Sequence, residues 1–385
     1  MRISIAGVTI GLTDDATHVT LGLAEPLISV VVPTYQEALN LPYLIPAISV
    51  AMRNAGLNYE IIIVDDNSQD GSEQAVIDLQ RQGHPVRMIV RKDARGLSSA
   101  VLEGFRHARG EFLVCMDADL SHPPDRIPAL IESLRDSGVN FVIGSRYVLG
   151  GEIPHDWSLF RRLNSRIATL VARPITRVKD PMSGFFALHR STLNRATGLS
   201  PIGYKVGLEL IVKCGCSNIR EVPTQFVDRK YGQTKLNLSE QLNYLRHVKR
   251  LLDFKYGNLS RLLQFCLVGG IGVFVDLLTL HVLLLALPLK ISRAVAIGVA
   301  MTSNFWLNRR LTFSDSRRTN WVRQYARFVL CCSIGGAINW SASVGLVGHV
   351  TFFRAHVTLA ALIGILSGTV SNFLMSRYWA FGLKR

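Results

Sequence analysis

Two aspartates stand one residue apart in Asp117-Ala118-Asp119, directly after the apolar run FLVCM. Carboxylates at i and i+2 can hold a hard divalent cation that also takes diphosphate oxygens. Such a cation screens the charge that builds on a departing nucleotide diphosphate. Alone, the D-x-D pattern is weak, because solvated loop acids often carry it. Here an earlier acidic pair, Asp65-Asp66, closes a second apolar run, YEIIIV, where it can grip a nucleoside through base or ribose hydrogen bonds.

The elements that must position these acids are strands. LISVVVPTY (27–35) and YEIIIVDD (59–66) are continuous β-branched runs, as strands buried on both faces are. They alternate with helical segments and with VRMIVR, FLVCMDAD and NFVIGSR, which predicts βαβ units and a mainly parallel sheet. In such sheets ligands sit beyond the carboxyl ends of the strands, where Pro33, Tyr35, Asp66, Asp117 and Asp119 fall. The first 26 residues carry no signal-peptide pattern and read as a loose extension. Six cysteines show no metal-ligand spacing and read as buried thiols of a reducing compartment.

The second half differs. Apolar segments near 262–287, 291–312, 325–350 and 356–381 each reach the ~20 residues that span a bilayer. They repeat: FCLVGGIGVFVD parallels FVLCCSIGGAIN at an offset of 63, and SNFWLNRRLTF parallels SNFLMSRYWAF at 68. Arg309, Arg310, Arg317, Arg318, Arg323 and Arg327 lie between the second and third segments, so the positive-inside rule puts both termini in the cytoplasm. The net charge of +15 calls for an anionic partner, and the apolar runs favour a lipid bilayer over nucleic acid. Arg161, Arg162, Arg166 and Arg173 interleave with apolar residues over 157–176, as in a helix lying at a membrane interface; 236–258 has the same character. Asp276, with His281 nearby, is an acid inside the first membrane segment and thus a functional candidate by default.

VVPTYQEALNL, IIVDDNSQDGS, GLSSAVLEGF, MDADLSHPP, IGSRY and DPMSGFFAL occur in this order. Together they resemble the GT-A glycosyltransferases of family 2, and more narrowly the dolichyl/polyprenyl-phosphate mannose synthases. Residues 260–385 resemble the GtrA-like four-helix membrane domain. The resemblance implies a Rossmann-like α/β GT-A domain over 27–235, interfacial helices over 236–258 and an all-α four-helix transmembrane domain over 259–385. It implies transfer of mannose from GDP-mannose to dolichyl or polyprenyl phosphate, with Mg2+ or Mn2+, at the cytoplasmic face. Matching positions assign Pro33, Tyr35, Glu37, Val64 and Asp66 to the nucleoside, and Asp117, Ala118 and Asp119 to metal and diphosphate. Arg146 is placed near the phosphates, Lys205, Arg229 and Lys235 on the donor, and Arg161 and Ser165 near the lipid phosphate. Ser121 stands where many relatives carry Gln, which puts its donor contact in question.

The implied chemistry needs no catalytic triad, and none is evident. A phosphate monoester has its second pKa near ~6, so at neutral pH the acceptor is already an anionic nucleophile. The protein must bring two anions together, which calls for a metal and several basic side chains. Displacement in one step would invert the anomeric carbon. Competing readings are a UDP-glucose-dependent enzyme on the same lipid, a processive synthase, and a lipid-carrier translocase involving Asp276. The processive reading lacks its Q-x-x-R-W signature, since Gln241 is followed by Asn-Tyr-Leu-Arg. Asp180, in KDP, reads either as a sugar contact or as a turn carboxylate.

Overall fold

Valine and isoleucine runs form the centre of the sheet, since β-branched side chains favour the extended backbone and pack well on a pleated surface. The computed structural model describes residues 2–5, 8–11, 21–23, 27–153, 158–227, 238–314 and 320–382. By its internal contacts the chain divides into two units, Met1–Lys255 and Tyr256–Arg385.

In the first unit the strands are β1 (Arg2–Ile5), β2 (Val8–Gly11), β3 (Leu21–Leu23), β4 (Ile28–Thr34), β5 (Tyr59–Asp65), β6 (Val86–Val90), β7 (Phe112–Cys115), β8 (Phe141–Ser145), β9 (Phe186–His189) and β10 (Ile219–Pro223). The helices are α1 (Leu41–Asn54), α2 (Ser72–Arg81), α3 (Leu97–His107), α4 (Ile127–Arg135), α5 (Leu159–Ala172), α6 (Arg190–Leu193), α7 (Val206–Lys213) and α8 (Leu238–Tyr256). Seven strands form the main sheet in the order β10-β8-β9-β7-β4-β5-β6. Its pairings are parallel except that β9 runs antiparallel to both β7 and β8. Every residue of β4 is buried, and α1, α2 and α4 close one face of the sheet with Leu44, Ile48, Val76 and Leu130. Val101 and Phe105 of α3 and Val206 and Leu210 of α7 close the other. A separate apolar cluster joins Ala172 of α5, Leu208 of α7 and Val248 and Leu251 of α8.

One expectation changes here. The N-terminal segment read as a loose extension contains a three-stranded antiparallel sheet, β1-β2-β3, with Arg2 opposite Gly11 and Ile5 opposite Val8. The interfacial segment at 236–258 forms α8, which buries Val248 and Leu251 against the catalytic unit while leaving Leu245 and Phe254 exposed.

The second unit has four long helices: α9 (Asn258–Leu283), α10 (Leu289–Leu307), α11 (Trp321–His349) and α13 (Val357–Met375), with the short α12 (Thr351–Ala355) between the last two. Three of them, α9, α11 and α13 with its extension to Ala380, are long and apolar enough to cross a membrane. The expected fourth, α10, falls short on composition, because Lys290 and Arg293 occupy its first turns. Arg293 donates from Nη1 to Asp276 Oδ2 at 2.6 Å. The partner of Asp276 is therefore this arginine, while His281 Nδ1 lies 2.8 Å from the Leu277 carbonyl oxygen of its own helix.

The sequence repeat is also a repeat in space. The SNF asparagines, Asn304 and Asn372, pack on Gly272 and Gly335 at corresponding points of α9 and α11. A Cβ on Gly272 would lie 2.2 Å from Asn304 Nδ2, and one on Gly335 would lie 3.0 Å from Asn372 Cβ, so a side chain at either position would push the asparagine aside. Both repeats end in a π turn, at Asn308–Thr312 and Ser376–Ala380. Exchanging Phe265 with Phe328, Phe305 with Phe373 and Phe313 with Phe381 maps the ring contacts onto each other. Phe265–Phe313 at 6.3 Å matches Phe328–Phe381 at 6.1 Å, and Phe265–Phe373 at 5.6 Å matches Phe305–Phe328 at 5.8 Å. The Phe313–Phe381 stack, at 4.5 Å, maps onto itself and so lies on the pseudo-twofold axis.

This symmetry makes a prediction. Phe313→Ala and Phe381→Ala should destabilise the membrane unit by similar amounts, about 3–5 kcal/mol each by the cost of emptying a buried aromatic site. The double variant should cost less than the sum, because both substitutions remove the same stack. Thermal denaturation of the purified chain in detergent measures all three.

Candidate functional site

The carboxyl ends of β4, β5, β7 and β8 meet along one edge of the sheet, where their parallel directions bring the polar residues together. At the end of β7 the chain leaves the sheet as Met116-Asp117-Ala118-Asp119. Asp117 is partly exposed, with 28% of its side chain accessible, whereas Asp119 is buried. Ala118 is buried in the core beneath them. Leu120 takes the left-handed conformation (φ 61°), turning the chain so that Ser121 folds back. The Ser121 amide and hydroxyl both donate to Asp119 Oδ1, at 3.1 and 2.5 Å. Ser121, completely buried, thus orients Asp119; the structure places it under the acid rather than in an open donor pocket.

Asp117 is held by His122, a residue the motif analysis left without a role. The Asp117 amide donates to His122 Nδ1 at 3.1 Å, and His122 Nε2 lies 3.9 Å from Asp117 Oδ2. An Nδ1 that accepts leaves the ring proton on Nε2. The imidazole is buried, stacked on Phe185 at 5.3 Å and edge-on to Phe226 at 5.7 Å. Burial lowers its pKa, with Asp117 and Asp119 acting in the opposite sense. Gly184 lines the other side of Asp117, where a Cβ would stand 3.0 Å from Oδ2.

Arg146 follows β8 and is fastened to Asp180. Its amide, Nε and Nη2 donate to the Asp180 carboxylate at 3.0, 2.7 and 2.7 Å. Asp180 has no exposed surface and serves here as the counter-ion of Arg146, a partner neither of its sequence readings named. Glu221 of β10 fixes the Asp180 loop by accepting from the amides of Lys179 and Asp180, at 2.8 and 3.0 Å. Burial opposes the guanidinium charge, but pairing with Asp180 outweighs it and raises the Arg146 pKa. Lys205, immediately before α7, donates from Nζ to the Met182 carbonyl at 3.0 Å. Its pKa is lowered to about 8, first by burial and next by Arg146, while Asp117 and Asp180 act to raise it. Asp117, Arg146, Asp180 and Lys205 thus share one electrostatic field.

The residues assigned to the nucleoside surround the ends of β4 and β5. Pro33 and Val64 are buried inside the strands, so Val64 can offer a ligand only its backbone. Tyr35 and Glu37 lie just beyond β4, with Arg95 5.4 Å over the Tyr35 ring and Asn40 donating to Glu37 Oε2 at 2.5 Å. Asp66 is saturated by the protein: Arg91 Nε donates to Oδ1 at 2.8 Å, and the Gly96 amide to Oδ2 at 2.7 Å. In this state Asp66 organises the loop between β6 and α3. Asp65 accepts from Thr34 Oγ1 at 3.1 Å and from the Ser68 amide at 2.8 Å. Beside them opens a cleft of ≈330 Å³ lined by Asp65, Ser68, Gln69, Asp70, Ser72 and Met88. It does not extend to Asp117 or Asp119.

On α5, Ser165 Oγ lies 2.7 Å from the hydroxyl of Tyr147, the neighbour of Arg146, so the helix is tied to the basic centre. Arg161 sits in the first turn of α5, its amide bonded to the capping hydroxyl of Ser158 at 3.3 Å. The same helix turns Leu159 (84% accessible), Phe160, Leu163, Ile167 and Leu170 outward. Arg229 and Lys235 lie outside the described residues. Among the described residues no three His, Cys, Asp or Glu side chains gather into a metal cage. A cation held by Asp117 and Asp119 would complete its shell with water and substrate phosphate, which suits Mg2+ and Mn2+ rather than a structural metal.

Residues 29–196 match Glycosyl transferase family 2, and residues 264–381 match the GtrA/DPMS transmembrane domain. A dolichol-phosphate mannosyltransferase of Pyrococcus furiosus is 37% identical over 360 residues, 92% of this chain and 99% of its own. One from Saccharomyces cerevisiae is 45% identical over 237 residues, 60% of this chain and 88% of its own. Among solved structures, glucosyl-3-phosphoglycerate synthase from Mycobacterium tuberculosis overlays 60% of this chain and 80% of that one, with a TM-score of 0.46 and 22% identity.

The Arg146–Asp180 pair yields a test. Asp180→Asn leaves a buried guanidinium without its counter-charge and should cost about 3–5 kcal/mol. The double replacement Arg146→Met with Asp180→Leu removes both charges and should cost less in stability. Thermal melting compares the two.

Proposed function

The chain belongs to the dolichol-phosphate mannosyltransferases of glycosyl transferase family 2, and on that premise we propose that it moves mannose from GDP-mannose to dolichyl or polyprenyl phosphate with Mg2+ or Mn2+. The observation that carries this reading is the shared field at the strand ends. Asp117, with Asp119 two residues on, shares that field with a buried Arg146 and a Lys205 of lowered pKa, an arrangement suited to one cation and two anionic substrates.

The proposed mechanism is electrostatic. A divalent cation bound by Asp117 and Asp119 would screen the charge left on the GDP diphosphate. Ser121 and His122 hold those two acids in place, so the site needs little reorganisation as charge develops. Lys205 offers an ammonium to the donor phosphates. Arg146 and Arg161, with Ser165 between α5 and Tyr147, hold the lipid phosphate in line with the anomeric carbon. Its oxygen attacks as the bond to GDP breaks, the electron pair leaves with the diphosphate, and the configuration inverts. Asp66 supports the nucleoside side through the Arg91 loop, and Arg229 and Lys235 add donor contacts.

The apolar side chains that α5 turns outward support a bilayer surface beside the site. The acceptor phosphate would then enter from the headgroup level while its hydrocarbon stays in the membrane. The arginines at 309, 310, 323 and 327 support a cytoplasmic position for the catalytic unit and both termini.

The deciding assay offers GDP-mannose and UDP-glucose in parallel, with polyprenyl phosphate and a Mg2+/Mn2+ series. Mannosyl transfer that chelator abolishes and metal restores is the expected result; transfer from UDP-glucose alone overturns the mannose assignment. Asp117→Ala with Asp119→Ala should lower kcat/KM by at least about 10²–10³ on a folded protein. The pH dependence follows from Lys205. Its ammonium is charged below about 8 and neutral above, so kcat/KM for the donor should fall as pH rises through that value. Lys205→Arg, which stays protonated, should remove this basic limb.

A further inference from the structure

A second group of buried charges gathers around α7, beginning one turn after Lys205. Glu209 and His247 have no exposed surface, and Lys213 is nearly as buried. Lys213 Nζ lies 2.9 Å from Glu209 Oε1, and Arg250 Nη2 and His247 Nδ1 each lie 3.6 Å from Glu209 Oε2. Such a cluster is costly to bury and gives little net stability unless its groups have further tasks. Its hydrogen bonds reveal one. The Glu209 carboxylate accepts the Ser200 amide at 2.6 Å, and His247 Nδ1 accepts the Ile202 amide at 3.3 Å. Lys213 Nζ donates to the Gly198 carbonyl, and Arg250 Nη1 to Ser200 Oγ at 3.4 Å. All four side chains therefore fasten the same short loop, Gly198 to Ile202, which delivers Tyr204 and Lys205 to the site. That loop begins at one left-handed glycine, Gly198, is followed by another, Gly203 (φ 57° and 70°), and has no regular structure of its own.

The geometry points to His247, Glu209, Lys213 and Arg250 as a clasp of positioning residues that sets Lys205 against the donor phosphates. Two of its members, His247 and Arg250, belong to α8, the helix whose chain continues through Gly257 into α9. The placement of Lys205 is thus tied to the seating of α8 on α7. The His247 tautomer follows from its bond: Nδ1 accepts, so the proton is on Nε2, which has no hydrogen-bond partner among the described residues. Asparagine can put an acceptor oxygen near the Nδ1 position, and leucine cannot.

This inference rests on Lys205 acting at the donor, so its test separates the two claims. In the full chain in detergent, hydrogen exchange of the 198–205 segment is measured without substrate, and GDP-mannose binding is measured alongside. His247→Leu should speed exchange at the Ile202 and Ser200 amides about ten-fold or more, leave β4 unchanged, and weaken donor binding about ten-fold. His247→Asn should restore both. In a Lys205→Ala background, His247→Leu should weaken binding less than two-fold further, since the clasp acts through that lysine. Equal weakening in both backgrounds, or unchanged exchange in the 198–205 segment, overturns the clasp. If Lys205→Ala alone leaves donor binding intact, the role of Lys205 fails, while the exchange data still judge the clasp. Should His247→Leu not accumulate, Arg250→Ala carries the same comparison from a partly exposed position.

Discussion

The ion pair between Arg146 and Asp180 is the contact on which the rest of the site depends. It is bidentate through the side chain and tied a third time through the Arg146 amide. Around it the site takes its shape. Glu221 of β10 grips the Asp180 loop, Phe226 lies 5.2 Å from the guanidinium, and the edge of Phe226 meets His122, which carries Asp117. Removing the counter-ion would disturb the carboxylate that faces substrate through a chain of packed rings. A guanidinium with two strong bonds already made is also pre-oriented, a fixed donor rather than a mobile one.

The same economy runs through the carboxylates. Of Asp65, Asp66, Asp117, Asp119 and Asp180, only Asp117 presents an accessible side chain; the other four are buried and bonded to the protein. Most of the conspicuous acidic positions hold loops in register so that one or two can act. This division of labour suits a reaction in which neither substrate needs proton abstraction and geometry supplies the rate.

Much of the sheet was legible because β-branched runs of five to seven residues admit few alternatives, and the acids at their ends marked the active edge. The direction of β9 was not, since a four-residue apolar run carries no sign of whether it runs with or against its neighbours. RISI and VTIG are too short for their alternation to stand out, which left β1 and β2 unseen. Partners far apart in the chain were equally hidden. Arg146 and Asp180 are 34 residues apart, and Ile202 and His247 are 45 apart, so only the folded chain joins them. The repeat in the second unit was readable because its residues recur in order. Its failure to give four equally apolar helices comes from Lys290 and Arg293, which local charge alone explains.

The on-axis stack of Phe313 and Phe381 has a further meaning for how this membrane unit is built. Each repeat has two long helices, so the two run in the same sense, as parallel repeats do. One hairpin alone would leave three phenylalanines without their counterparts. Two identical copies of that hairpin, on separate polypeptides, could close the same aromatic seam. The fused chain is thus arranged as two such hairpins would be across a dimer axis. The halves differ where Asp276, paired with Arg293, corresponds to Asn339 at the equivalent place in the other half.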